Sequence, residues 1–197
     1  MSKANGKISN VLLVGVGGQG VLLASDIIAQ VAMEAGLDAK KSEIHGMSQR
    51  GGVVSSHLRF GPKIWSPIIP EGGADIMMAF EQAEALRAMH LLAEGGVPII
   101  NEHRIIPLTA SSNKFSYPED GVAKVGKRFP NMISFDAFAE CRKLGNEKMV
   151  SVLFLGALAS KLDFSKELWE RVILKRVPKG TEMGNMAAFE RGLELAS

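Results

Sequence analysis

The chain reads as an α/β protein, a three-layer sandwich around a mixed sheet, in one domain whose C-terminal third is helical. Three observations carry this reading. Short continuous apolar runs such as Val11-Leu12-Leu13-Val14 and Ile76-Met77-Met78-Ala79-Phe80 alternate with longer segments of helical period, as expected for strands buried on both faces by helices. The segment Val53 to Phe60 alternates in character and follows the preceding strand by only about eight residues. A parallel crossover needs about a dozen or more, so an antiparallel pair is expected there. From Asp136 onward helical patterns take over.

In chain order, the first strand runs into glycines, and Val21 to Ala35 has the length and apolar repeat of a helix, with Gly36 placed for a left-handed C-cap. Asp38 to Ile44 reads as a second strand. Between it and Val53 lies Gly46-Met47-Ser48-Gln49-Arg50-Gly51-Gly52. Within Val53 to Phe60, residues Val54, Ser56, Leu58 and Phe60 share one face, and Ser55, His57 and Arg59 the other. Gly61-Pro62-Lys63 is turn chemistry leading to a short strand at Ile64-Trp65, and Ser66 to Gly73 is an extended loop.

Glu81 to Leu92 is expected to be helical, with acids in its first turn, and Val97 to Asn101 to be a strand after Gly95-Gly96. The stretch from Glu102 to Pro130 is rich in turns and takes no assignment. Met132 to Phe135 reads as a strand. Helices are expected over Asp136 to Leu144, Met149 to Leu162, Ser165 to Ile173 and Asn185 to Leu195.

Composition narrows the function classes. A length of 197 residues with 46% hydrophobic composition suits one elaborated domain. Lys+Arg 23 against Asp+Glu 21 gives no field that would favour nucleic acid or an acidic membrane. The polar start, Met1 to Lys7, lacks the apolar core of a signal peptide, and a cytoplasmic protein is expected. The longest apolar stretch, Val150 to Ala159, falls far short of the ~20 residues that span a bilayer and reads as a buried helix that leaves room for homodimerisation of the isolated chain. Cys141 stands alone, so the chain forms no internal disulfide and cannot supply the ~4 thiolates of an iron–sulfur cluster.

Two glycine-rich stretches carry the chemistry. Gly15-Val16-Gly17-Gly18-Gln19-Gly20 fits Gly-x-Gly-x-x-Gly between a strand and a helix, where backbone N–H groups and the helix dipole receive an anion such as a pyrophosphate. The alternative is that Gly17 and Gly20 only allow tight strand–helix packing. A nicotinamide cofactor would call for an acid about 20 residues further on, at the end of the second strand. Glu43 is the one fair candidate, and it leads straight into the second glycine stretch, which weakens that reading. In Glu43-Ile44-His45-Gly46-Met47-Ser48-Gln49-Arg50-Gly51-Gly52 an imidazole, an amide and a guanidinium share one loop. Its glycines permit close approach by a ligand or partner. The competing reading makes Gly51-Gly52 a bulge and Arg50 a surface ion pair.

Other candidates carry less. His57, His90 and His103 lack metal-ligand spacing with one another or with Cys141. Ser25, Ser48 and Ser55 lack a nucleophile elbow, and Met77-Met78 and Met183 to Met186 read as packing or partner surface. Aromatic content of 6% gives no basic–aromatic stripe for nucleic acid.

Taken together, Val14-Gly15-Val16-Gly17-Gly18-Gln19-Gly20-Val21, Ser42 to Gly52, Ser55-Ser56-His57-Leu58-Arg59 and Ser66-Pro67-Ile68-Ile69-Pro70-Glu71-Gly72 resemble the beta subunits of indolepyruvate:ferredoxin oxidoreductases. Leu155-Gly156-Ala157-Leu158 and Asn185 to Gly192 extend the resemblance over nearly the whole chain. It implies a gamma-type domain of the 2-oxoacid:ferredoxin oxidoreductases over residues 1–197, with a Rossmann-like α/β/α fold and no extra cluster module. It also implies an alpha-subunit partner that holds thiamine diphosphate and iron–sulfur clusters. The implied reaction is oxidative decarboxylation of a 2-oxo acid to an acyl-coenzyme A, with electrons passed to ferredoxin.

The chain alone is then expected to hold no cofactor and to be inactive, with coenzyme A the ligand for Gly15, Gly17, Gly18, Gln19, Gly20, Gly51 and Gly52. No residue is assigned a catalytic step. His45, Gln49 and Arg50 are the supporting candidates, facing the partner's thiamine site or the coenzyme A channel. Two other classes stay open: a stand-alone NAD(P)-dependent oxidoreductase using the first loop, and a non-catalytic structural subunit.

Overall fold

The computed structural model describes residues 7–45, 52–105 and 117–197. Strands β1 (Ser9–Val16), β2 (Asp38–His45), β3 (Val53–Gly61), β4 (Ala74–Ala79), β5 (Leu92–Asn101) and β6 (Ile133–Phe135) form one sheet. Its order is β2-β3-β1-β4-β5-β6. β1, β4, β5 and β6 run parallel, while β3 pairs antiparallel with both β1 and β2. The expected antiparallel pair is therefore present, and β3 sits between β2 and β1.

The helices are α1 (Val21–Glu34), α2 (Gln82–Ala88), α3 (Gly121–Arg128), α4 (Ala137–Lys143), α5 (Val150–Ala159), α6 (Lys166–Arg176) and α7 (Glu182–Leu195). They cover the sheet unequally because adjacent strand residues face opposite ways. Val11 and Leu13 of β1, with Ile76, Met78 and Ile99, pack under α1 and the helical C-terminal third. Leu12 and Val14, with Met77, Ala79 and Ile100, pack against Ala85 of α2, Val125 of α3 and Ile69 of the loop after β3. The result is the three-layer α/β sandwich read from the sequence, with one thick helical layer and one thin one. No helix among the described residues is long and apolar enough to cross a membrane.

α1 ends where its sequence dictates. Gly36 adopts φ 85, donating to the Met33 carbonyl at 3.0 Å, and Leu37 donates to the Ala32 carbonyl at 3.0 Å, a Schellman closure that needs a left-handed residue. α5 is apolar all round and buried from Val150 to Leu158, as a helix without a polar stripe must be. It reaches this depth by crossing α7 at glycines. A Cβ on Gly156 would run into the Phe189 carbonyl oxygen, and one on Gly192 into that of Leu153.

The structure departs from the sequence reading in several places. Ile64-Trp65 is not a strand. The Ile64 amide donates instead to the Asp38 carboxylate at 2.9 Å, and prolines at 62 and 67 disfavour a ladder. The loop that follows covers one face of β3. Arg59 donates to the Ser66 carbonyl at 2.9 Å, and the Ile69 amide donates to His57 Nδ1 at 3.1 Å, so β3 is more than half buried. Helix α2 stops at Ala88 and passes through one 3₁₀ turn, Met89–Leu91. β5 starts at Leu92 rather than Val97, with Gly95 at φ 80 and a register shift between Ala74 and Ile76. The unassigned stretch contains α3, whose Val122 and Val125 face the thin layer. α7 begins before Asn185, which is buried and donates from its side-chain amide to the Thr181 carbonyl at 2.9 Å.

Candidate functional site

Because β1, β4, β5 and β6 are parallel, their C-terminal ends share one edge of the sheet, the edge at which open α/β sheets bind ligands. The first glycine stretch leaves β1 there. Val16 of β1 pairs with Val53 of β3, and His45 at the end of β2 pairs with Val54. The two glycine stretches are thus joined to the same edge, and the Gly17 amide donates to the Gly52 carbonyl at 2.9 Å. Gly15, Gly17, Gly18, Gln19, Gly20 and Gly52 are brought together as expected from sequence. Gln49, Arg50, Gly51 and the side chain of His45 lie outside the described residues.

Within the first stretch the roles divide. Gly15 is a packing residue: a Cβ there would come within 2.9 Å of the Phe80 Cβ and 2.8 Å of Gln19 Oε1. Gln19 is buried and committed internally, accepting from the Val16 amide at 2.8 Å and donating to the Phe80 carbonyl at 2.8 Å. The same carbonyl accepts from Asn101 Nδ2 at 3.2 Å, and Asn101 Oδ1 accepts from the Ala137 amide at 3.0 Å. Gln19 and Asn101 therefore lock the ends of β1, β4 and β5 and the start of α4 into one frame. The Gln19 side chain is buried and uses both its oxygen and its nitrogen to position the loop, and the Gly17 N–H is likewise engaged.

The groups of this stretch left without a partner among the described residues are the amides of Gly18 and Gly20. These two glycines adopt φ 96 and φ 80. Gly20 is the N-cap of α1, which has no side-chain cap and no acid in its first turn. The N-terminal amides of a helix carry about half a positive charge and attract anions. They open onto a cleft of ≈ 420 Å³ lined by Gly18, Gln19, Gly20 and Leu23 on one side and by Phe138, Glu147, Lys148, Val150 and Ser151 on the other. That volume lies within the range of small-molecule sites. The far wall was invisible to motif reading, since its residues come from α4, the 3₁₀ turn Glu147–Met149 and the start of α5.

Other candidate groups are paired or buried away from this cleft. Glu43, the residue expected to bind a ribose in a nicotinamide enzyme, receives Lys41 Nζ at 2.6 Å and the Ser25 hydroxyl at 3.4 Å beside α1. Cys141 is buried, and burial pushes its thiol up to about 12. No cluster of three His, Cys, Asp or Glu suited to a metal occurs among the described residues. Glu81 is buried at the end of β4, where it caps α2 through the Ala83 amide at 2.7 Å and accepts from the Tyr117 hydroxyl.

Comparison with known proteins agrees with this architecture. The sequence family described as pyruvate ferredoxin/flavodoxin oxidoreductase matches residues 10–195. Indolepyruvate oxidoreductase subunit IorB of Thermococcus kodakarensis is 37% identical over 195 residues, covering 95% of this chain and 95% of that protein. The IorB subunit of Archaeoglobus fulgidus is 38% identical, covering 95% and 94%. Among solved structures, the gamma subunit of a keto/oxoacid ferredoxin oxidoreductase from Geobacter sulfurreducens is 25% identical with a TM-score of 0.71, covering 95% of this chain and 98% of that one.

Proposed function

Because the chain belongs to the pyruvate ferredoxin/flavodoxin oxidoreductase family, we propose that it is the small, cluster-free subunit of a cytoplasmic 2-oxo acid:ferredoxin oxidoreductase acting on indolepyruvate or a related aryl pyruvate. The similarity to IorB subunits over nearly their full length supports this choice of substrate. Residues 1–197 serve as one gamma-type domain. The overall reaction releases the carboxylate of the 2-oxo acid as carbon dioxide, joins the remaining acyl group to the sulfur of coenzyme A and passes electrons to ferredoxin.

A single buried cysteine does not fit an iron–sulfur cluster. Thiamine diphosphate and iron–sulfur clusters in a larger partner supply the carbanion chemistry and the electron path.

This chain's share is to hold coenzyme A. The observation that carries the assignment is the start of α1, where the amides of Gly18 and Gly20 and an uncapped helix N-terminus open onto the cleft. Such a site takes a phosphate through backbone N–H groups without needing a cation. The alternative of a stand-alone nicotinamide enzyme is disfavoured by Glu43, whose carboxylate is drawn into the Lys41 pair. His45 ends β2 and Gln49 and Arg50 follow it in sequence, and the three are assigned a supporting role toward the partner's active site or the coenzyme A channel. The test is reconstitution. The chain alone should be colourless and inactive. Together with its thiamine-containing partner it should support coenzyme A-dependent oxidation of aryl pyruvates with a low-potential acceptor. Activity of the purified chain alone, or NAD reduction by it, would overturn the proposal.

A further inference from the structure

We infer that Lys148 and Ser151 form the second half of an anion clamp, holding the diphosphate of an adenine nucleotide against the start of α1, with the Phe138 ring as the platform for its base. This rests on the coenzyme A reading above and deepens it, because it assigns the cleft to the nucleotide end of that molecule and not to its thiol.

Ser151 is 3% exposed and its hydroxyl makes no hydrogen bond among the described residues, yet it is not among the fully buried unpartnered atoms, so what accessibility it has is to the cleft. A hydroxyl in a nearly buried residue that is left to a cleft is a group a ligand can use. This one lines the cleft and points toward the glycine loop, since a Cβ on Gly20 would lie 3.0 Å from Ser151 Oγ. The hydroxyl thus lies against the loop whose Gly18 and Gly20 amides make no hydrogen bond among the described residues, at the same cleft. Lys148 stands at the rim, exposed and in no ion pair among the described residues. Its own amide is capped by Asn146 Oδ1 at 2.9 Å, which fixes the turn leading into α5. The acid on this wall, Glu147, is paired with Arg142 at 3.2 Å, so the wall presents net positive charge. The N-terminal end of α5 adds its dipole to that of α1.

The remaining lining suits a base. Phe138 is partly exposed in the cleft and braced by His103, ring centroids 4.4 Å apart. An aromatic face beside a phosphate site is the arrangement that stacks nucleobases. With the phosphate and base partners both in this lining, the proposed clamp keeps the nucleotide in the cleft as an anchor and leaves the thiol end outside it, toward the partner.

The experiment is calorimetry on the assembled complex with inorganic pyrophosphate and with coenzyme A as separate probes. Lys148→Ala is expected to weaken both about tenfold and Ser151→Ala severalfold, as loss of a charge-assisted and a neutral hydrogen bond would. Phe138→Leu should weaken coenzyme A and leave pyrophosphate unchanged, with a melting transition like the parent's as the folding control. Coenzyme A binding that stays within about twofold of the parent in both Lys148→Ala and Ser151→Ala would overturn the clamp while leaving the coenzyme A reading intact. Pyrophosphate binding that depends on Lys148, but with which coenzyme A does not compete, would keep the clamp and defeat the coenzyme A reading. Absence of binding by both probes to the parent complex would overturn the clamp.

Discussion

Gly156 of α5 and Gly192 of α7 meet backbone to backbone: a Cβ built on either would come within 3.0 Å of the other's Cα. The crossing buries the apolar helix that carries Ser151 at its start, so the floor of the cleft depends on two hydrogen atoms in place of methyl groups. Gly192→Ala should lower stability by about 3 kcal/mol, the upper range for forced overpacking. Chemical denaturation of the parent and the variant checks this. An unchanged midpoint would mean that the helices separate without cost.

His57 links stability to pH. Burial lowers its pKa from 6.5, and its Nδ1 accepts the Ile69 amide, which a protonated ring cannot do. The folded state therefore resists a proton that the unfolded chain takes up near 6.5. Its contribution is complete above that pH and is lost as pH falls below it toward the lowered folded value. His57→Gln, which keeps an acceptor and removes the titration, should flatten the decline in melting temperature between pH 7 and about pH 5. A parent and variant with parallel profiles would contradict this.

Cys141 should be inert in the folded protein, since burial holds its thiol at about 12 and leaves almost no thiolate at neutral pH. A thiol reagent should label it only after denaturation, with a rate set by unfolding. Labelling of the native chain at the rate of a free thiol would show that α4 opens.

Much of this arrangement was readable one element at a time. Val11 to Val14 ran apolar into glycine and is the central strand, and the short spacing before Val53 required the antiparallel pairing that β2 and β3 show. Gly36 marked the end of α1 because its left-handed turn has a residue-specific cause. Local pattern failed where a distant partner decided the structure. The Ile64 amide is taken by Asp38, 26 positions away, and α3 is short, with little more than Val122 and Val125 to mark its buried face. The site divided in the same way. The glycine loop is contiguous and carries its own signature, whereas Phe138, Lys148 and Ser151 approach it from more than a hundred residues further along the chain, the first and last in segments that read as ordinary helix and Lys148 in the unassigned gap between them. Gln19 shows the converse, a residue inside the motif whose side chain turned out to hold the frame.

For the second glycine stretch the expectation rests on side-chain chemistry. A guanidinium holds a carboxylate or phosphate through paired hydrogen bonds that an ammonium does not reproduce. Arg50→Lys should reduce turnover or coenzyme A affinity of the assembled enzyme by about tenfold while melting temperature and subunit association stay near those of the parent. His45→Gln should act similarly, with an altered pH profile only where the imidazole moves a proton. Wild-type turnover accompanied by lost assembly would make this stretch structural.

Coenzyme A held at the glycine loop is tested by its KM in a reconstituted complex carrying Gly18→Glu. Gly18 is exposed, with open space where a Cβ would stand, so the added carboxylate places negative charge where the proposal puts the phosphates, at a strain cost of about 1 kcal/mol for its φ of 96. The expected result is a KM for coenzyme A raised more than about tenfold with the KM for the 2-oxo acid unchanged. An unchanged KM for coenzyme A in a complex that still assembles would contradict phosphate binding at this loop.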